Sequence, residues 1–252
     1  MTPMPITTSW DDGHPTDFRI VELLAKYDLR GTFYIPKVAE TETMGEAQIR
    51  RIASTQEVGA HTLNHVYLPE VDEATADREI VESRKWLESV LGDECRMFCF
   101  PRGKFTSHHL VTAAEAGYTG VRTTEMLSMQ PPRRTHGIWE MPTTVEAYPH
   151  TSYTLMRNIL KRRAGGNFLN LLRNRKQLDW PVLAQTLFDQ TRSANGVFHL
   201  WGHSWEIEEF DLWGPLEATF KFIQENSVPS QRMTNAQVCD VMNAQEAASI
   251  PV

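Results

Sequence analysis

The sequence predicts an α/β protein built on parallel strands, and three observations carry that reading. Short runs rich in β-branched and aromatic residues alternate with helical stretches through most of the 252 residues, the pattern of strands joined by right-handed crossovers. A hydrophobic content of 41% over that length suffices for one substantial core, and single α/β barrels commonly fill such a chain. The polar residues able to carry chemistry fall at or just past the C-terminal ends of the strand-like runs, the face on which a parallel barrel gathers its active site. One domain over residues 1–252 is the resulting expectation.

Taken in order, the first strand runs from Ile6 to Trp10 and ends in the turn-prone Asp11-Asp12-Gly13-His14-Pro15. Ile20, Leu23 and Leu24 then stand at helical spacing, and Gly31 to Ile35 reads as the second strand. Val58 to His61 is a short third run. Ile80, Leu87 and Leu91 mark one face of a long helix over Asp72 to Leu91, stopped by Gly92. Arg96 to Phe100 is strand-like and halts at Pro101, and a helix follows around Leu110 to Ala116. Tyr118 to Thr123, Trp139 to Thr143 and Val197 to Trp201 complete the strands. Asp11, Asp12, His61, His65, Arg102, Arg122, Glu140 and His203 all lie at strand ends in this scheme, so residues distant in sequence are expected to meet.

Composition excludes several classes. A formal net charge of −7 argues against a dedicated nucleic-acid binder, which needs a dominant basic face. The start of the chain shows no cationic stretch followed by an apolar one, and no run approaches the roughly 18 apolar residues of a membrane span, so a soluble, cytoplasmic protein is expected. Cys95, Cys99 and Cys239 are too few for a disulfide framework, and no second pair follows Cys95 and Cys99, which read as buried thiols. One stretch reverses the charge: Arg157, Lys161, Arg162, Arg163, Arg173, Arg175 and Lys176 occur without an intervening acid. It reads as a basic helical insertion around residues 151–180, either a solvated face or a flap receiving an anionic, phosphate-linked substrate. On the flap reading, neutralising Arg162, Arg163, Arg173 and Arg175 raises KM. Leu155, Ile159, Leu160, Phe168, Leu169, Leu171 and Leu172 would pack on the barrel or on a partner, a homo-oligomer included.

The chemistry begins with His61 and His65, four apart and so expected on one side of a helical turn where both imidazoles reach one cation. Such a pair alone is more often two hydrogen-bonded histidines. It lacks the glutamate of the HExxH pattern, so a general base must come from elsewhere. Asp11 and Asp12 supply carboxylates, and two of them adjacent in a turn repel unless a cation neutralises one and hydrogen bonds or an arginine hold the other. Two imidazoles and one carboxylate leave coordination positions open, the arrangement of a catalytic rather than a structural metal. His203, just beyond an apolar strand, fills the role of an acid that protonates a departing amine, while His199 inside that strand reads as packed.

These residues stand in a recognisable order. Ser9-Trp10-Asp11-Asp12-Gly13 resembles the T-F-D-D-G box and His61-Thr62-Leu63-Asn64-His65 the H-[ST]-x-x-H box of the polysaccharide deacetylases with NodB homology, carbohydrate esterase family 4. Phe98-Cys99-Phe100-Pro101-Arg102-Gly103 is similar to the F-x-[YF]-P-x-G form of the third box, and His203 matches the histidine of the last. The resemblance implies a distorted, incomplete (β/α)7-type barrel. It also implies that Asp11 is the catalytic base, that Asp12, His61 and His65 bind zinc or else Co2+, Ni2+ or Mn2+, and that His203 is the acid. The implied reaction removes an N-acyl group, acetyl in the first place, from an amino sugar; the start of the chain, without an export signal, and the basic segment tilt the expected substrate toward a phosphate- or nucleotide-linked precursor. Rival readings are a cyclic imide or ureide hydrolase on the same fold and an inactive carbohydrate-binding homologue.

Two departures from the family pattern need partners. Where better-known members open the third box with an arginine that tunes the base, this chain has Cys99, and Arg102 or Arg122 is expected to substitute. Glu140 is the expected acidic partner of His203. A backbone N–H near Arg102 and Gly103 would hold the oxyanion, His14 would touch substrate or cap a helix, and Trp10, Trp201, Trp205 and Trp213 would stack on a sugar ring or sit in the core.

Overall fold

Residues 4–162, 164–174 and 178–249 are described in the computed structural model of the chain, Arg162 by its backbone alone. Strand and helix alternate from the start as β1 (Ile6–Asp11), α1 (Asp17–Lys26), β2 (Gly31–Ile35), α2 (Glu46–Ala53), β3 (Glu57–Ala60), α3 (Glu73–Leu91), β4 (Met97–Cys99), α4 (Ser107–Glu115) and β5 (Gly120–Arg122). Next come β6 (Arg133–Thr135), β7 (Ile138–Met141), β8 (Val145–Glu146), α5 (Ser152–Arg162), α6 (Gly165–Asn174) and α7 (Trp180–Ala194). The chain ends with β9 (Phe198–Gly202), α8 (Ser204–Glu209), α9 (Trp213–Glu225) and α10 (Asn235–Ala248).

One sheet holds all nine of these strands in the order β6-β7-β5-β4-β3-β2-β1-β9-β8. Every pairing is parallel except β6 with β7. The sheet curls without closing, because β6 and β8 stand at its two ends, which makes it the distorted, incomplete α/β barrel expected. The antiparallel β6 is the exception to the all-parallel reading. A two-residue turn at His136-Gly137, with φ of 51° and 85°, makes β6–β7 a tight hairpin.

Period-two alternation gives the sheet two chemically different faces. Phe33, Ile35, Phe98, Val121, Ile138, Phe198 and Leu200 join one large buried cluster with side chains of the surrounding helices. Each fully buried side chain of that size contributes about 1.5–3 kcal/mol relative to exposure. Their strand neighbours Tyr34, Met97, Cys99, Trp139 and Met141 pack instead with Ala236, Val238, Cys239 and Met242 of α10. Asn235 anchors α10 there, receiving a hydrogen bond from Thr7 (2.7 Å) and donating one to the Tyr34 hydroxyl (2.8 Å). With the other end of the curl open, the polar side chains of the inner face collect above the strands' C-terminal ends.

The long helix is bounded as its residues dictate: the Asp72 carboxylate accepts the Thr75 N–H (2.9 Å), and Gly92 closes it with φ 70°. The described part of the basic segment forms α5 and α6. Leu155, Ile159 and Leu171 are buried against the rest of the protein, whereas Leu160, Phe168, Leu169 and Leu172 are exposed. Arg163, Arg175, Lys176 and the Arg162 side chain lie outside the described residues. Among the described residues no helix is long and apolar enough to cross a membrane.

Candidate active site

Asp11, the last residue of β1, keeps the inward phase of Thr7 and Ser9. Asp12 and Gly13 then turn the chain with φ of 75° and 62°. A Cβ on Gly13 would stand 2.6 Å from Ile35 Cγ2, so this position requires glycine on grounds of both space and backbone conformation. The loop after β3 corrects one expectation. His61 to His65 is not a helical turn but an irregular loop with Thr62 at φ 64° and His65 at φ 49°. Glu79 of α3 holds it, accepting hydrogen bonds from the N–H groups of Leu63 (2.8 Å) and Asn64 (2.9 Å) and from Asn64 Nδ2 (2.6 Å).

That loop turns both imidazoles onto Asp12. His61 Nδ1 donates to the Cys99 carbonyl at 2.7 Å, which fixes its tautomer and leaves Nε2 facing Asp12 Oδ1 at 3.6 Å. His65 Nε2 stands 3.3 Å from the same oxygen. Trp205 Nε1 donates to the other carboxylate oxygen at 3.0 Å, whereas Oδ1 is buried without a hydrogen-bond partner among the described residues. Burial opposes ionisation of Asp12, but its contacts with His61 and His65 and the field of His203 outweigh it and hold the carboxyl well below the usual range. Three donor atoms about 2.0–2.1 Å from a tetrahedral ion stand about 3.3 Å apart. The observed separations, the orphaned oxygen and the His₂-carboxylate donor set therefore fit a zinc-like divalent cation.

Asp11 has different company. One of its oxygens pairs with Arg122 Nη2, and the other lies 3.9 Å from the Cys99 thiol and 4.0 Å from His203 Nε2. Arg122 is fully buried, its guanidinium 4.6 Å from the Trp201 ring and 5.4 Å from that of Tyr34. Cys99 and Arg122 are register partners on β4 and β5, so the arginine rises one strand over at the level where the third box would place it. Of the two expected substitutes the structure brings in Arg122. Arg102, exposed and with φ 54°, faces Glu40 at 3.6 Å instead.

His203 caps β9 and starts α8. Its Nδ1 donates to Glu206 at 2.6 Å, with Glu146 3.9 Å away. Burial opposes its protonation, but Glu206, Asp12 and Asp11 together push its pKa up to about 10. Glu206 therefore takes the place expected of Glu140. The correction follows from strand phase: Glu140 is level with outward-facing Val121 and pairs with Arg133 at 3.3 Å, while its neighbours Trp139 and Met141 face inward.

A cavity of about 390 Å³ opens over these groups, lined also by Arg102, Gly103, Trp201 and Trp205. Gly103's N–H is taken by the Phe100 carbonyl at 2.7 Å. His14 lies outside the lining and acts at the start of α1, where its carbonyl accepts the Asp17 N–H (2.9 Å) and its ring meets the Thr16 hydroxyl (2.7 Å). Trp10 packs edge-on against Phe220, and Trp213 bonds Glu208; neither reaches the cavity. Sequence reading misses Glu206, Glu146, Glu79 and the Trp205–Asp12 bond. Only Glu206 carries a local signal, three residues after His203 at a helix start.

A family model described as polysaccharide deacetylase matches residues 2–121. The peptidoglycan-N-acetylglucosamine deacetylase of Bacillus cereus is 25% identical over 119 residues, 46% of this chain and 54% of that protein. The chain spans about half the length of the curated relatives it matches, 54% there and 44% of YxkH from Bacillus subtilis. Among solved structures, a Mycobacterium smegmatis protein named for the same family superposes over 98% of this chain and 96% of its own, with a TM-score of 0.70 at 15% identity. The chitin deacetylase of Colletotrichum lindemuthianum does so over 94% and 88%, with 0.57 at 16%. At these identities the superpositions establish the fold.

Proposed function

We propose that this chain, a relative of the polysaccharide deacetylases of the carbohydrate esterase family 4 type, is a metal-dependent hydrolase that removes the N-acetyl group from an amino sugar. One observation carries the reading. Asp12, His61 and His65 converge on one point, while the adjacent Asp11 is held apart by Arg122 and faces His203 across 4.0 Å.

Asp12, His61 and His65 would hold the cation, with zinc the first choice for this donor set. When bound, it supplies Lewis acidity toward water and the acyl oxygen. Asp11 takes the proton from the attacking water, and Arg122 orients that carboxylate through its buried Nη2 contact. His203 delivers its Nε2 proton to the amine as the C–N bond breaks, with Glu206 holding Nδ1 and so aiming the ring. The Arg102 backbone N–H is the candidate donor to the developing oxyanion, because that of Gly103 is already engaged. Trp201 lines the cavity with a buried indole N–H that has no partner among the described residues, which suits a sugar hydroxyl. Trp205, bound to Asp12, serves as a wall of the ligand set and less as a stacking platform. No observation favours a cyclic imide or ureide, or a non-catalytic binding role, and neither is put forward.

Acetate release from acetylated chito-oligosaccharides, matched to the appearance of free amine, tests the reading. Asp11→Asn is expected to lower turnover by about 10²–10⁴-fold, the usual share of a general base. Undiminished acetate release by Asp11→Asn would remove Asp11 from the mechanism.

A further inference from the structure

Beside the catalytic cavity, and sharing Arg102, Thr124, Met126 and Asn158 with it, lies a second groove of about 270 Å³. Its walls come from elements far apart in sequence. Thr154, Arg157, Asn158 and Lys161 follow at i, i+3, i+4 and i+7, so one face of α5 is turned toward it. The turn after β4 contributes Arg102 and Lys104. Four cations thus line the groove, and among the described lining residues none is acidic. In a chain with a net charge of −7, this is a local reversal of sign created by placement.

The wall is fixed. Asn158 donates to the Thr124 carbonyl at 2.7 Å and accepts the Met126 N–H at 3.1 Å. From α6, Asn167 and Asn170 donate to the carbonyls of Met126 and Leu127, each at 2.9 Å. Three amide side chains therefore stitch α5 and α6 to the loop that borders both cavities. Arg157 and Lys161, about one helical turn apart, ride on that frame. Both are exposed, and the Arg102–Glu40 contact opposite is an exposed pair that salt and water weaken. Among the described residues the cations that line the groove are Arg102, Lys104, Arg157 and Lys161, and Arg173 is not one of them; Arg163, Arg175 and the Arg162 side chain, also expected from charge counting, lie outside the described residues.

Resting on the deacetylase reading, we propose that the amino sugar accepted here carries a phosphate ester, held between Arg102 and Lys104 on one side and Arg157 and Lys161 on the other. A neutral glycan brings no charge to match a groove lined by four cations, and a single carboxylate matches one of them. A phosphate presents three acceptor oxygens and close to two charges, enough to engage both walls. With the acetamido group at the Asp12–His61–His65 end and the phosphate at the cationic end, the sugar binds in one direction only.

The test uses the zinc-loaded full chain, an Arg157→Gln/Lys161→Gln double variant, and Lys104→Gln on the opposite wall as an independent second. Inorganic phosphate is titrated calorimetrically into each, and acetate release is compared for N-acetylglucosamine phosphate esters and the neutral methyl glycoside. Phosphate binding is expected to weaken about tenfold or more in both variants and to fall with added salt, and the ratio of kcat/KM for phosphorylated over neutral sugar to drop by a similar factor. Phosphate binding and a substrate ratio unchanged in both variants would overturn the groove assignment. If no sugar is deacetylated while phosphate binding follows the charges, the deacetylase reading falls and the oxyanion site stands. Release from the neutral sugar with charge-blind phosphate binding leaves the deacetylase reading in place and removes the oxyanion site.

Discussion

The division of labour between Asp11 and Asp12 rests on what each carboxylate touches. Asp12 meets two imidazoles and an indole N–H, the donor set proposed for a cation; Asp11 pairs instead with a buried guanidinium, which leaves it for the role of base. His203 completes the set with its pKa pushed up to about 10, burial working against Glu206, Asp12 and Asp11. A bound cation offsets the charge on Asp12 and brings that value down. The sign of the pH dependence follows. In the proposed mechanism His203 acts in its protonated form, so activity is expected to be lost as pH rises through its pKa, and removing the Glu206 charge moves that loss to lower pH. In Glu206→Gln the alkaline limb of the kcat/KM profile is therefore expected to shift downward, while zinc content stays at the wild-type level. An alkaline limb at the same pH in both proteins would mean that His203 is not the acid or that Glu206 does not tune it. The resemblance makes Asp11, Asp12, His61, His65 and His203 legible from sequence because all stand in contiguous boxes. Glu140 misleads because strand-end position alone does not carry strand phase, which the register of Val121 with Glu140 decides.

Among the elements, the loop between β3 and α3 shows how a helix far from the cavity sets its geometry. Glu79 ties down three N–H groups of residues 63–64 and so fixes the direction of both flanking histidines. Glu79→Gln replaces one accepting oxygen with an amide NH2 that can only donate, and the zinc dissociation constant is expected to rise about 10–100-fold, as for other residues that orient metal ligands. Competition with a chelator measures it, and an unchanged constant would show that the loop holds its shape without Glu79. The long α3 is legible through its spaced apolar residues, its Asp72 cap and its terminal Gly92. The two-residue β8 offers no alternation to detect, and α2 buries only Ile49 and Ile52, too little for a periodic signal. Glu146 escapes with β8, since it comes near His203 only once β8 joins β9.

Across the whole molecule, the curl of the sheet creates a polar interior that must be neutral wherever it lacks a partner. His199 sits there fully buried, Nδ1 donating to the Pro142 carbonyl (3.1 Å) and Nε2 accepting from Ser9 (2.8 Å), which joins β9 to β1. Burial, with Arg122 nearby, lowers its pKa from 6.5 to about 3. The folded protein thus refuses a proton that the unfolded chain accepts below about pH 6.5. Stability from this group is full above that pH and lost as pH falls toward 3, at about 1.4 kcal/mol per pH unit. The drop in Tm between pH 7 and pH 4.5 is expected to be smaller in His199→Gln than in the parent, and equal drops would assign acid sensitivity to other groups. That the fold class is readable at all follows from parallel topology, which obliges each buried strand to be apolar on its outer face.

Zinc content after exhaustive dialysis, determined by elemental analysis on the parent chain and on Asp12→Ala, His61→Ala, His65→Ala and Asp11→Asn, tests the central claim most directly. One equivalent per chain is expected in the parent and in Asp11→Asn, with loss in each of the other three. A parent chain that retains no metal, or folded Asp12, His61 and His65 variants that all keep a full equivalent, would contradict it.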